Sequence, residues 1–194
     1  MQETHLTRKN TLDIQDYIIF TTGNQSRRFG MGSLVHRNIK ASVVNFKAVT
    51  EKLCKIQIKS GIQNITIVNF QAPTEETDEE IKDEFYEELE KVYDEIPKSH
   101  LKIIIEDANA KVGKGKIYKN ITGGKSKHDI SNNNSLRLIN LAIERDMRIM
   151  SIHFKRKDIH KRTWIIPGTT KTNQIDHFLI GERIVNLVKN VRFY

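Results

Sequence analysis

Short apolar runs alternate with polar loops along most of the chain, and only two segments carry the longer period of a helix. Residues 17–21, 32–36 and 41–46 read as strands, with Gly23, Gly30 and Gly32 punctuating the links. Residues 53–59 and 62–70 read as a hairpin turned at Ser60 and Gly61, with Ile65 and Ile67 on one face and Val68 and Phe70 on the other. Thr77 and Glu80 have the spacing of a capping box. Ile81, Phe85, Leu89 and Val92 then form one apolar stripe opposite a solvated acidic face, and Pro97 closes the helix. Residues 101–105 are a continuous apolar run, as expected for a strand buried on both sides. The second helix is expected over 135–145, with apolar residues at Leu136, Ile139 and Ile143, Leu138 and Ala142 beside them, and Asn134 as its cap. Residues 148–152, 163–166 and 175–180 are late strands, and 113–133 is a long, basic, glycine-bearing loop. There is no internal repeat. The pattern predicts an α/β protein, a two-sheet sandwich flanked by helices, in one domain over residues 1–194.

Composition narrows this only slightly. Hydrophobic residues are 38% of the 194, enough for a core, and no apolar stretch approaches the roughly 18 residues of a membrane span. The single Cys54 rules out an internal disulfide; its apolar neighbours suggest a buried, inert thiol and a reducing, intracellular setting. The net charge of +8 hides an asymmetry. Twelve of the 24 acids lie between Glu75 and Glu95 with only Lys82 and Lys91 among them, so elsewhere bases outnumber acids 30 to 12. Such an excess favours an anionic partner, polyphosphate backbones above all; lysine used for solubility accounts for it equally well.

Candidate chemistry centres on Asp107 and Asn109 within Glu106-Asp107-Ala108-Asn109-Ala110, directly after the 101–105 run. A carboxylate and an amide two residues apart at the mouth of a sheet can face one pocket, one accepting a proton while the other holds a substrate oxygen. Taken alone the pair is weak, because Asp and Asn also favour turns. Thr122-Gly123-Gly124-Lys125-Ser126 has the look of a phosphate loop but carries Lys119 where the first glycine belongs, so it reads as a flexible basic loop. His153 and His160 lack zinc-site spacing. Trp164, a lone tryptophan in an apolar strand, reads by default as core.

Further segments add to the Asp107 pair: Met1-Gln2-Glu3-Thr4-His5, Asn69-Phe70-Gln71-Ala72-Pro73-Thr74 and Asn173-Gln174-Ile175-Asp176-His177-Phe178. In this order they resemble the endonuclease/exonuclease/phosphatase family, and within it the apurinic-like endonucleases of non-LTR retrotransposons. Ala72-Pro73-Thr74-Glu75-Glu76, Asn134-Ser135-Leu136-Arg137-Leu138-Ile139-Asn140 and Lys157-Asp158-Ile159-His160 carry the same likeness. The resemblance implies hydrolysis of DNA phosphodiesters leaving a 3′-hydroxyl. It assigns Glu3 to Mg²⁺ (or Mn²⁺), Asp107 to the attacking water, Asn109 to that water or the phosphate, and Asp176 to orienting a histidine. Gln71 stands where the family has histidine or tyrosine, Glu106 where it has glycine and Ala108 where it has phenylalanine. Arg27, Arg28, Lys125, Asn134 and Trp164 are the implied nucleic-acid contacts, and His177 is expected behind the sheet. The family's first strand and its closing Ser-Asp-His strand have no counterpart here, so the expectation is an impaired endonuclease, with a non-catalytic DNA- or protein-binding remnant as the alternative. The implied partners are DNA and a reverse transcriptase domain, met in the nucleus by a monomer that does not enter membranes.

Overall fold

The computed structural model describes Thr4, residues 10–23 and residues 30–193, with the side chains of Asn10 and Glu106 excepted. Glu3, Arg27 and Arg28 lie outside the described residues, as does the Glu106 side chain. The chain forms two compact units, one of Met1–Gln71 and Lys91–Ile104, the other of Ala72–Glu90 and Ile105–Tyr194.

The first unit is antiparallel. Strands β1 (Asn10–Ile14), β2 (Tyr17–Thr21) and β3 (Gly32–His36) make a three-stranded sheet in that order. A 3-10 turn over Arg37–Ser42 leads into β4 (Val43–Thr50), followed by β5 (Leu53–Ile58) and β6 (Ile65–Gln71), again neighbours in sequence order. The hairpin expected at Ser60 and Gly61 is therefore present, while β1 and the length of β4 exceed the expectation. The two sheets touch where Asn69 Nδ2 donates to the Gly32 carbonyl (3.0 Å) and where the rings of Phe20 and Phe46 meet at 5.6 Å. Ile18, Leu53, Ile56, Val68 and Phe70 are buried. Cys54 is buried beside them, and burial pushes its thiol up to about 12, so it stays protonated. Lys55 is buried too, its Nζ 2.7 Å from Glu95 Oε2. Together with Lys47 it holds the Glu95 carboxyl down at about 2.

The second unit carries the helices. Most of α1 (Glu79–Asp94) belongs to it, as do the end of β7 (Leu101–Asp107), α2 (Lys119–Thr122), α3 (Asn133–Glu144), β8 (Met147–Ile149), the two-residue pair β9 (Trp164–Ile165) and β10 (Thr172–Asn173), and β11 (Asp176–Gly181). Here the strand order is β7-β11-β8, with β11 antiparallel to β8. The inward face of α1 keeps Leu89 and Val92 of the expected stripe, but Lys82 and Tyr86 are buried as well, whereas Ile81 is 50% exposed. Lys82 can turn inward because its ammonium donates to the Glu75 carbonyl (2.6 Å) and to Glu79 Oε1 (3.0 Å), satisfying a charge that would otherwise be costly to bury. The cap of α3 also moves, to Asn132, whose side chain accepts from Ser135 N–H. Strand β7 is not buried on both sides, since Ile105 is 44% exposed.

The 113–133 segment is held rather than flexible. Thr122 and Ser126 are buried, Gln174 Oε1 accepts from Lys127 N–H (3.1 Å), and Gln174 N–H donates to His128 Nε2 (3.1 Å). Gly123 closes α2 in the left-handed region (φ +67°), where a Cβ would lie 2.5 Å from His153 Cα. Gly123→Ala should therefore destabilise the protein by about 1–3 kcal/mol. At Gly61 a Cβ meets nothing within 4 Å, and alanine there should change stability by less than about 0.5 kcal/mol. Urea unfolding of the two variants checks the contrast; equal midpoints would mean that Gly123 is under no constraint.

Candidate active site of the second unit

Strand β7 ends at Asp107, and the next two residues are fastened to segments distant in sequence. Ala72 N–H donates to the Asp107 carbonyl (2.8 Å), and Ala108 N–H donates to the Ile175 carbonyl (3.1 Å). The chain then turns sharply. Asn109 sits at φ +47°, a left-handed conformation that asparagine tolerates better than most residues. Its N–H donates to Asp107 Oδ1 (3.3 Å), and its Nδ2 donates to the Ala72 carbonyl (3.0 Å). The Asp-x-Asn pair is thus a turn of the ordinary side-chain-to-backbone kind, and it leaves both residues half-buried at the end of a strand.

Asp176 begins β11. Its own N–H and that of Ile175 donate to Thr163 Oγ1 (3.1 and 2.9 Å), so one hydroxyl fixes the strand's start. Burial pushes the Asp176 carboxyl up to about 6; its hydrogen bond with Thr163 opposes the rise, and the charge of Asp107 adds to it. Asp107, Asn109 and Asp176 therefore come together, with the two carboxylates in each other's field. His177, the next residue, faces the other way and is fully buried. Its Nε2 lies 2.9 Å from the Ala110 carbonyl and its Nδ1 2.9 Å from Ser151 Oγ. A carbonyl can only accept, so Nε2 carries the proton and the Ser151 hydroxyl donates to Nδ1. Burial lowers this imidazole to about 4, so it is neutral near pH 7. His177 pins β11 to the segment after Asn109; it does not serve the carboxylates.

The remaining expected residues fare differently. Gln71 ends β6 in the first unit, is buried, and donates its N–H to the Lys52 carbonyl (3.0 Å). Lys125 is exposed, with its N–H on the Ile152 carbonyl (2.9 Å). Trp164 is 42% exposed on β9, which corrects the core reading. Asn134 is 0% exposed and cannot reach a phosphate from there; its Nδ2 donates inward to the Pro73 carbonyl (2.9 Å). Sequence reasoning missed Glu75, Asn132, Lys82 and Thr163. Only proximity in sequence to Pro73 and Asn134 marked the first two, and nothing marked the others.

Among the described residues no group of three or more His, Cys, Asp or Glu could hold a metal by itself. The donor set is nonetheless chemically suited to a hard cation: Asp107, Asn109 and Asp176 offer oxygen alone, and two carboxylates in mutual repulsion are the arrangement a divalent ion relieves.

Because the folded carboxyl of Asp176 is raised, its contribution to stability is present below about pH 4 and is lost as pH rises through about 6. A carbon-detected NMR titration should place the midpoint of Asp176 at about 6, and Asp107→Asn should lower it by removing a like charge. A midpoint unmoved by that substitution would mean that the two carboxylates share no field.

No family profile matches the sequence. Curated relatives include craniofacial development protein 2 of Bos taurus, 26% identical over 193 residues, which are 99% of this chain and 32% of that protein. The Tragulus javanicus protein of the same name is also 26% identical, over 99% of this chain and 33% of its own length. The chain thus spans about a third of the length of the curated relatives it matches. Among solved structures, the endonuclease domain of TRAS1, a telomere-specific non-LTR retrotransposon, has a TM-score of 0.62 at 17% identity, covering 91% of this chain and 72% of that one. AP endonuclease LMAP from Leishmania major gives 0.67 at 10% identity, covering 95% and 69%. TDP2 of D. rerio, complexed with a single-strand DNA product, gives 0.59 at 9% identity, covering 86% and 62%. The chain has the α/β fold of the endonuclease/exonuclease/phosphatase nucleases, and in sequence it resembles craniofacial development protein 2.

Proposed function

We propose that this chain is the phosphodiester-hydrolysing domain of a DNA endonuclease of retrotransposon descent. The observation that carries the reading is the meeting of Asp107, Asn109 and Asp176 at the ends of strands far apart in sequence. Such convergence of oxygen donors is what a phosphate and its attacking water require. The likeness in fold to the TRAS1 endonuclease domain supports the descent.

In this reading Asp107 accepts a proton from water as the water oxygen bonds to phosphorus; the phosphorus–oxygen bond to the leaving sugar breaks, and the departing 3′ oxygen takes a proton from solvent. Asn109 has one amide hydrogen committed to Ala72; the other is available to a phosphate oxygen. Asp176 orients a donor beside the phosphate. Mg²⁺, or Mn²⁺ in its place, would take oxygen from Asp107 and Asp176 and would supply charge neutralisation for the phosphate; Glu3, the ligand that the resemblance implies, lies outside the described residues. The exposed Lys125 suits contact with backbone phosphates, and the exposed Trp164 offers a face to a base. A reverse transcriptase domain of the same parent polyprotein would be the natural user of the 3′-hydroxyl left by the cut.

A second reading, DNA binding with impaired or absent cutting, is favoured by one observation: His177, the histidine next to Asp176 in sequence, is buried, neutral and turned away from the carboxylates. A supercoiled-plasmid nicking assay in Mg²⁺ separates the two. The endonuclease reading expects nicking that falls at least about 100-fold in Asp107→Ala, with Trp164→Ala mainly weakening DNA binding. Retention of DNA with no nicking selects the binding reading, and nicking that survives Asp107→Ala removes the role given to Asp107.

A further inference from the structure

Asn109 holds a conformation that most residues avoid, and what holds it there lies on another element. Its carbonyl accepts from two side-chain amides, Asn132 Nδ2 at 3.0 Å and Asn134 Nδ2 at 3.4 Å. Asn134 donates a second time to the Pro73 carbonyl (2.9 Å). Both of its partners are carbonyl oxygens, so the amide can point only one way. Its Oδ1 is buried without a hydrogen-bond partner, so the side chain is oriented by what its nitrogen holds.

These two asparagines are set in turn by Glu75. Glu75 Oε1 accepts from Asn133 N–H (2.9 Å), while Oε2 accepts from Asn134 N–H (3.2 Å) and Asn132 Nδ2 (2.7 Å). A carboxylate is favoured at this position, where the first amides of α3 have no partner within the helix. The backbone of Glu75 is held by the buried Lys82 ammonium at its carbonyl (2.6 Å). The Asn109 carbonyl is thereby held by Asn132 and Asn134, its N–H by Asp107 Oδ1, and one of its two amide hydrogens by Ala72.

We infer that Glu75 and Asn134 are positioning residues, which hold the left-handed turn at Asn109 and thereby aim the side chains of Asp107 and Asn109. Without the two amides the Asn109 backbone relaxes toward the right-handed region. Its N–H then leaves Asp107 Oδ1, freeing the carboxylate to rotate. The inference deepens the hydrolytic reading and rests on it for its effect on rate; the geometric claim stands on the hydrogen bonds alone.

The test uses the full chain as Asn134→Ala, Glu75→Ala and Glu75→Gln, with two readouts. The first is the side-chain amide signal of Asn109 in a ¹H–¹⁵N spectrum, together with its protection from solvent exchange. The second is Mg²⁺-dependent nicking, resolved into kcat and KM. In Asn134→Ala and Glu75→Ala the Asn109 amide should lose its protection, and kcat should fall about 10- to 100-fold with KM changed less than about threefold. Glu75→Gln keeps one acceptor oxygen and should recover part of both losses. An Asn109 amide unchanged in folded Asn134→Ala and Glu75→Ala overturns the inference. If the unsubstituted chain does not nick, the hydrolytic reading fails and the amide signal alone decides this one. If Asn134→Ala does not fold, the two Glu75 variants decide it.

Discussion

The carboxylate of Glu75 sits on the first turn of α3, and the order of the second unit runs outward from that contact. One side chain satisfies two helix amides that have no intrahelical partner and orients an asparagine that reaches the end of β7. A negative charge at a helix N-terminus is stabilised by the unpaired amides and by the helix dipole, so Glu75 is held by electrostatics and by geometry at once. The same helix start reaches the Asp107–Asn109 turn, where the carbonyl of the left-handed Asn109 accepts from the side-chain amides of Asn132 and Asn134.

The acidic composition of α1 takes on a different meaning in this light. Glu79 and Asp83 receive the Arg137 guanidinium, Glu90 receives Arg145, and Glu79 also pairs with Lys82. The acids facing α3 are therefore ion-pair partners between two helices. Exposed pairs of this kind contribute little each; Tyr86 and Leu89 of α1 and Leu138, Ile139 and Ala142 of α3 are buried, and burial of apolar surface is the larger stabilising effect. What the charges add is register: they tie helices whose N-terminal turns must line up for Glu75 to meet Asn133 and Asn134.

The chemistry of the site follows from strand ends. Asp107 and Asp176 start or finish neighbouring strands, and the Ala108–Ile175 hydrogen bond brings those ends level. The alternation of side chains then divides labour along β11, leaving Asp176 half-buried with its neighbour carboxylate while His177 goes fully inside. The same burial acts on both residues with opposite sign, raising the acid and lowering the base, because in each case it disfavours the charged form.

The linear sequence determined a good deal. Period-two runs located β2 and β3 at their observed bounds and the β5–β6 hairpin, and helical periodicity located α1 and α3, because these are local properties of which faces can be apolar. The order of motifs singled out Asp107, Asn109 and Asp176 as candidates, which the fold brings together, and alternation put His177 on the opposite face. Other features needed three dimensions. The inward face of α1 turned on Lys82, a residue that reads as solvated until the Glu75 carbonyl is seen to meet its ammonium. Asn134 reads as a helix cap or a DNA contact until Pro73 and Asn109 are found on its amide. Glu75 reads as one acid among twelve. Periodicity records whether a position is apolar, but a buried polar group is set by which distant carbonyl or amide comes within about 3 Å, and only the tertiary structure decides that.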